Sequence, residues 1–341
     1  MSASHPKSVY VLCTGGTIGM QRSDRGYVPM PGHLAKSMAK LPELQNPDMP
    51  RYTVHEYEKP IDSANMTIDN WMQIGKDILK NYAHYDGFVI LHGTDTMAYS
   101  ASILSFMLEN LQKPVIFTGS QLPLFETRSD ARENLINAIW IASHYHIPEV
   151  CIYFNNKLFR GNRCKKVDAN SFSAFVSPNF PTLGKVGTDV LIRHSLLRPV
   201  PKGELHLQLI HSVAVGALRI FPGISLDMLK HFLRPPLQAL VLETYGLGTA
   251  PEDPDFLDII HRATDSGIVI VNCSQCPVAK VRMSHYAAGT TLMNAGVVSG
   301  GDMTAESALA KLFYLFSKEL SLSHIKSEMM VDWRGELTLG K

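Results

Sequence analysis

The chain has 341 residues, 45% hydrophobic and 18% charged, an ordinary globular composition with room for about two domains. It carries 32 Lys and Arg against 31 Asp and Glu, a net charge of +1, which gives no field to attract nucleic acid or a membrane surface. No stretch approaches the roughly 20 apolar residues of a membrane span.

In chain order, residues 9–13 (VYVLC) read as a buried strand, and residues 67–81 carry apolar side chains at helical spacing. A second strand follows at 86–93 (DGFVILHG), a helix at 97–110, a third strand at 113–120 (KPVIFTGS), a helix at 132–143 and a fourth strand at 148–156 (PEVCIYFNN). Continuous Val, Ile and Phe runs bounded by Gly or Pro fit parallel strands buried on both faces. Strand alternating with helix predicts an α/β fold with a doubly wound, mostly parallel sheet. The rhythm breaks between Gly184 and His211, where Pro199, Pro201, Gly187 and Gly203 cluster without a long apolar run. This places a first domain at 1–188, a linker at 189–211 and a smaller α/β domain at 212–341. There, strands are expected at 215–223, 237–246 and 267–275, with helices at 224–234, 254–266 and 304–317.

Five cysteines (Cys13, Cys151, Cys164, Cys273 and Cys276), odd in number and widely spread, do not look like a disulfide framework. The start, MSASHPKSVYVL, has no long apolar core and no small-residue cleavage site. A reduced cytoplasm is the expected location.

In open parallel sheets, ligands bind beyond the carboxyl ends of the strands. The loops there read TGGTIG, HGTDTM, TGSQLP and NNKLFRGNRCKK. The glycines of the first, Gly15, Gly16 and Gly19, miss the dinucleotide spacing, and no Lys follows Gly19 as a phosphate loop requires. G-x-S-x-G and H-E-x-x-H are absent, and CSQC is a lone pair without a second for zinc. Hydroxyl chemistry remains. Thr17 and Thr94 follow strands, Asp95 adjoins Thr94, and a lysine of the fourth loop can serve as base if burial lowers its pKa. A Gly-Gly turn lets backbone N–H groups approach a developing oxyanion. Read singly, these residues are as well explained as helix caps and tight turns.

TGGTIGM together with HGTDTMAYSAS, and then KPVIFTGSQLP and RSDARENLINA, resembles the L-asparaginase family over essentially the whole chain. GTIGMQRSDRGYVP and the unprocessed start resemble its cytoplasmic, bacterial type I branch. The resemblance implies hydrolysis of L-asparagine to L-aspartate and ammonia through a threonine nucleophile and a β-aspartyl ester, with no cofactor and no metal. It places the nucleophile at Thr17, a structural threonine at Thr14, and a proton relay at Thr94, Asp95 and Lys166, with Lys165 one residue away. The flexible-loop tyrosine falls on Tyr27. The substrate binders fall on Asp62, Ser63, Ala64, Thr94 and Asp95, and Tyr286 is the residue expected from a neighbouring subunit. A homotetramer built as a dimer of dimers is implied, with no nucleic-acid or membrane partner. Alternatives are a glutaminase or amidotransferase-type relative, or a catalytically silent ligand-binding relative. The chain departs from the branch at an effector site associated with Ser274, Gln275 and Cys276. Glu243 stands where an arginine is expected, and Lys165 replaces a small hydroxyl residue. A carboxylate there repels the effector's own, and a Lys165–Glu243 pair would fill the pocket internally. Weak or absent activation by asparagine is therefore expected.

Overall fold

The computed structural model describes residues 6–24, 26–30, 32–283 and 287–339. It forms two compact units, Met1–Ser177 with Pro181–Gln208 and Pro178–Phe180 with Leu209–Lys341.

The strands of the first unit are β1 (Ser8–Cys13), β2 (Met20–Ser23), β3 (Gly26–Pro29), β4 (Arg51–Glu56), β5 (Gly87–Leu91), β6 (Leu108–Glu109), β7 (Val115–Thr118), β8 (Val150–Phe154), β9 (Lys157–Arg160), β10 (Lys165–Lys166), β11 (Phe175–Val176), β12 (Gly184–Val186), β13 (Val190–Ile192) and β14 (His206–Leu207). Its helices are α1 (His33–Met38), α2 (Ile68–Asn81), α3 (Met97–Met107) and α4 (Ala131–His144). An eight-stranded sheet has the order β13-β12-β9-β8-β7-β5-β1-β4. The five strands β8, β7, β5, β1 and β4 run parallel. The rest of the sheet, from β9 to β13, is antiparallel.

The physical reason for the parallel core is plain in the side chains. Every residue of β5, β7 and β8 is buried, so these strands gain only where both faces are covered. α3 is buried on nearly every side and packs on β7 and β8, while α4 packs on β1, β5 and β7. α2 is amphipathic and starts at a reciprocal cap. The Thr67 side chain accepts from Asn70 N–H, and the Asn70 side chain accepts from Thr67 N–H.

Two expectations change here. Asn155 and Asn156 do not continue the fourth strand. They sit at φ 46° and 61° and turn the chain into β9, which pairs antiparallel with β8. Two residues at positive φ make a tight hairpin, and Asn tolerates that region better than most residues. The linker expected over 189–211 carries two short strands, β13 and β14, that pair with the first unit. β12 and β13 form the far edge of the eight-stranded sheet, and β14 pairs with β6. The compact boundary falls after Gln208.

The second unit contains β15 (Val215–Arg219), β16 (Ala239–Thr244), β17 (Val269–Ser274) and β18 (Val298–Ser299), a parallel sheet in that order. Its helices are α5 (Leu226–Phe232), α6 (Pro254–Asp265), α7 (Ala287–Asn294), α8 (Ala305–Phe316) and α9 (Leu322–Glu328). Leu240, Leu242, Ile270, Phe256, Ile260 and Leu292 fill its core. Lys311 of α8, fully buried, donates to Glu336, likewise fully buried, at 2.5 Å. Its ammonium also donates to the Met329 carbonyl, pinning the last segment of the chain to α8. The expected α/β class is therefore met in both units, with the larger, mostly parallel sheet first.

Candidate active site

The site is assembled in the first unit, beyond the carboxyl ends of the parallel strands. β1 ends at Cys13, and the chain enters a turn at Thr14. Thr14 is buried, and both its N–H and its hydroxyl donate to the Leu91 carbonyl at 3.0 Å. These two hydrogen bonds tie the turn to the end of β5.

Gly15 and Gly16 then bring backbone against backbone. A Cβ on Gly15 would lie 2.3 Å from the Ile61 carbonyl oxygen, and one on Gly16 would lie 2.6 Å from the Gly93 nitrogen. Gly16 has φ 89° and ψ 172°, a conformation essentially restricted to glycine. The first loop is thus wedged between the 61–65 loop and the 92–96 loop. Thr17 opens a short 3-10 turn, Thr17–Gly19, directly after this wedge, and its side chain is half-buried. Thr94 follows Gly93 on the opposing side. Thr96 ties the other two loops together by donating its hydroxyl to the Ser63 carbonyl at 2.8 Å.

Lys166 reaches this point from a different hairpin. β10 pairs with β11, and a turn between them is held by Asp168, whose carboxylate accepts from Asn170 N–H at 2.7 Å and Ser171 N–H at 2.8 Å. Those two donors hold the Asp168 carboxyl below its ordinary pKa. The Lys166 ammonium donates to Thr94 Oγ1 at 2.8 Å and to Asp95 Oδ1 at 2.7 Å. Its side chain is 16% exposed, while that of Asp95 is 65% exposed. The arrangement puts a cation against a hydroxyl and leaves the Asp95 carboxylate largely exposed.

His92, two residues before Thr94, ends a chain of hydrogen bonds that starts at half-buried Trp71. Trp71 Nε1 donates to Ser100 Oγ at 2.8 Å, and Ser100 Oγ lies 2.9 Å from His92 Nε2. The Gly93 carbonyl beside Nδ1 can only accept, so the neutral ring is protonated there and Nε2 accepts from the serine hydroxyl. His92 then carries its hydrogen on Nδ1 and donates it to the Gly93 carbonyl at 2.6 Å. Burial pushes the pKa of this imidazole down to about 4, against the opposing pull of that carbonyl.

The other expected binders are placed as follows. The Asp62 carboxylate accepts from Ala64 N–H at 3.1 Å, Ser63 is buried, and Ala64 is exposed on the same loop. Tyr27 stands on the β2–β3 hairpin, 42% exposed, and donates its hydroxyl to Glu126 Oε1 at 2.9 Å. The carboxylate raises the phenol pKa. Tyr286 lies outside the described residues.

Two residues were missed by sequence reading. Gln121 Oε1 accepts from Thr94 Oγ1 at 3.3 Å. Arg219, in register with Glu243 on the neighbouring strand, donates to its carboxylate at 2.8 Å and 3.2 Å. Arg219 therefore supplies a cation beside Glu243 that the expected Lys165–Glu243 pair did not anticipate. Gln275 lies against the same strand ends, donating to the Ile220 and Glu243 carbonyls at 2.6 and 2.8 Å. Ser274 donates to the Gly246 carbonyl at 2.6 Å and accepts from Cys276 N–H at 3.0 Å. Cys273 is buried and Cys276 exposed, so the C-x-x-C pair does not share one environment. Among the described residues, no helix is long and apolar enough to cross a membrane.

The asparaginase N-terminal domain profile matches residues 8–198, and the glutaminase/asparaginase C-terminal domain profile matches residues 214–329. The chain belongs to the asparaginase family. Its sequence is 52% identical over 335 residues to L-asparaginase 1 of Escherichia coli strain K12, covering 97% of this chain and 98% of that one. Its fold matches a crystal structure of L-asparaginase I from Vibrio cholerae with a TM-score of 0.92 at 46% identity, covering 98% of this chain and all of that chain. A glutamyl-tRNA(Gln) amidotransferase subunit from Pyrococcus horikoshii is 30% identical over 350 residues, covering 98% of this chain and 77% of that protein. Both type I relatives agree with the branch inferred from the sequence, and the protein is a hydrolase of the asparaginase class.

Proposed function

We propose that this protein hydrolyses L-asparagine to L-aspartate and ammonia, with Thr17 as nucleophile. The observation that carries the reading is the Lys166–Thr94–Asp95 cluster, closed at 2.8 and 2.7 Å beside the turn that presents Thr17. A hydroxyl is a poor nucleophile until a neighbour takes its proton, and a lysine in contact with a second hydroxyl is a path for that proton. With Lys166 in its neutral form, Thr17 Oγ attacks the side-chain amide carbon, its proton passes through Thr94 to the amine, and the C–N bond breaks. The leaving nitrogen takes a proton and departs as ammonia. Water, deprotonated by the same relay, then attacks the β-aspartyl ester, releasing aspartate and restoring the Thr17 hydroxyl. The tight Gly15-Gly16 turn lets backbone N–H groups face the oxyanion formed in each step.

Recognition follows from charge. The exposed Asp95 carboxylate takes the substrate ammonium, and Ser63 with its neighbours Asp62 and Ala64 lines the side for the α-carboxylate. Tyr27, held at Glu126, covers the nucleophile from the hairpin, and Tyr286 completes the site from a neighbouring subunit. The protein works as a homo-oligomer, a dimer of dimers, in the cytoplasm. The relatives named L-asparaginase, at 52% and 46% identity against 30% for the amidotransferase component, favour free asparagine as substrate. Ammonia release from L-Asn, L-Gln and D-Asn, measured side by side, tests it. Turnover of L-Asn well above L-Gln is expected; equal rates on both amides would contradict the substrate assignment.

A further inference from the structure

The second member of the relay, Thr94, has one hydroxyl proton and two lone pairs to distribute. A charged lysine can only donate, so the 2.8 Å contact from Lys166 occupies a lone pair on Oγ1. The single proton of Thr94 then goes to its remaining close neighbour, the Gln121 amide oxygen, at 3.3 Å. An amide can be turned end for end, but here its sense is fixed from the other side. Gln121 Nε2 lies 3.1 Å from the Ser171 carbonyl, which can only accept. The nitrogen must therefore face Ser171 and the oxygen must face Thr94.

The backbone of Gln121 is equally constrained. Its N–H lies 3.1 Å from both Asp130 oxygens, and Leu122 N–H donates to the same carboxylate at 3.1 Å. Asn134 of α4 donates to Asp130 at 3.2 Å and to the Gly119 carbonyl at 3.0 Å. The loop after β7 is thus clamped to the start of α4, and Gln121 projects from the clamp with both ends of its amide in use. Ser171 belongs to the turn held by Asp168, which leads back to Lys166 through the β10–β11 pair. One side chain thus connects Thr94 to the turn that leads to Lys166.

We propose that Gln121 is the positioning residue of the relay. Its amide oxygen holds the Thr94 hydroxyl in the rotamer that keeps Oγ1 on Lys166, and its amide nitrogen fixes the turn that carries Lys166. This rests on the reading of Thr94 and Lys166 given above. A bond of 3.3 Å is long for O–H···O, so the Thr94 proton is held weakly and can swing to Lys166 Nζ once the ammonium has given its extra proton to solvent. As a proton arrives on Thr94 from the attacking hydroxyl, the proton already there moves to Lys166 Nζ, and no net charge is left on the threonine.

Three variants test this in ammonia-release assays across pH, with thermal unfolding as a folding control. Gln121→Met keeps length and volume but removes both hydrogen bonds; kcat is expected to fall roughly tenfold with KM within about twofold of wild type. Gln121→Glu keeps an acceptor toward Thr94 but adds a negative charge near Lys166, which favours the ammonium. The rising limb of its kcat–pH profile is expected to move to higher pH. Lys166→Met is the reference and is expected to be inactive. If it is inactive while both Gln121 variants keep the wild-type kcat and pH profile, the role of Gln121 is overturned and the relay stands. Loss of kcat in Gln121→Met without a displaced limb in Gln121→Glu also overturns it, because that pattern is a packing defect. An active Lys166→Met removes the relay itself.

Discussion

Gly16→Ala tests how closely the catalytic turn must approach the Thr94 loop. The new methyl would lie 2.6 Å from the Gly93 nitrogen, 2.7 Å from its Cα and 2.9 Å from the His92 carbonyl carbon, all backbone atoms that cannot rotate away. Ordinary van der Waals contact begins near 3.4 Å, so the two loops must separate by about 0.8 Å. A displacement of about 1 Å between a nucleophile and its proton acceptor costs on the order of 10²-fold in rate. The φ of 89° adds a strain of roughly 1–3 kcal/mol to the folded state. Gly223→Ala is the matched control. Its φ is 85°, but a Cβ there meets nothing within 4 Å, and it lies in the second unit. Steady-state ammonia release and thermal unfolding read the two effects apart. Gly16→Ala should lose about a hundredfold in kcat and lower the melting temperature, while Gly223→Ala should lower only the melting temperature. A Gly16→Ala enzyme with kcat within about twofold of wild type would refute the claim that this contact sets the distance between Thr17 and the relay.

Lys166→Met should abolish turnover and Lys165→Met should retain most of it, because only Lys166 is placed on Thr94 and Asp95; ammonia release from both variants decides, and a reversal would move the base to Lys165. His92 gives a pH dependence. Its folded pKa of about 4 lies below the ordinary 6.5, so between those values the unfolded chain binds a proton that the folded chain refuses. This contribution, about 3 kcal/mol, is full above pH 6.5 and is lost as the pH falls toward 4. Denaturant unfolding of wild type and His92→Asn between pH 7 and 5 should show the steeper loss in wild type; parallel curves would contradict a neutral buried imidazole. Initial rates against asparagine concentration should be hyperbolic, since Arg219 already occupies the Glu243 carboxylate; a clearly sigmoidal curve would contradict this.

The parallel strands were legible because burial on both faces writes continuous apolar runs, as in GFVIL and VIFT. The edges were not. β4 alternates half-buried and exposed positions without a strong apolar face, and β12 and β13 are three residues each, so neither produces a run to notice. The span 189–211 therefore read as linker although β13 within it forms the edge of the sheet. In the candidate site, Thr17, Thr94, Asp95 and Lys166 were singled out through loop position and family motif together. Gln121 stood in one of the four loops singled out, but a glutamine gives no sign of its partner until the β7 and β10 loops are brought together. Arg219 was invisible for the same reason. Its meaning depends on the register that sets it opposite Glu243.

The central claim is that the Thr17 hydroxyl attacks the substrate, and ammonia release by Thr17→Ala tests it most directly. The side chain is half-buried at the start of a 3-10 turn and contributes little to the core, so the variant should fold with a melting temperature close to wild type. Losing one catalytic group typically costs on the order of 10³-fold or more, and the variant's kcat is expected to fall at least that far. A folded Thr17→Ala enzyme that keeps more than about a hundredth of wild-type turnover would contradict the assignment and place the nucleophile elsewhere.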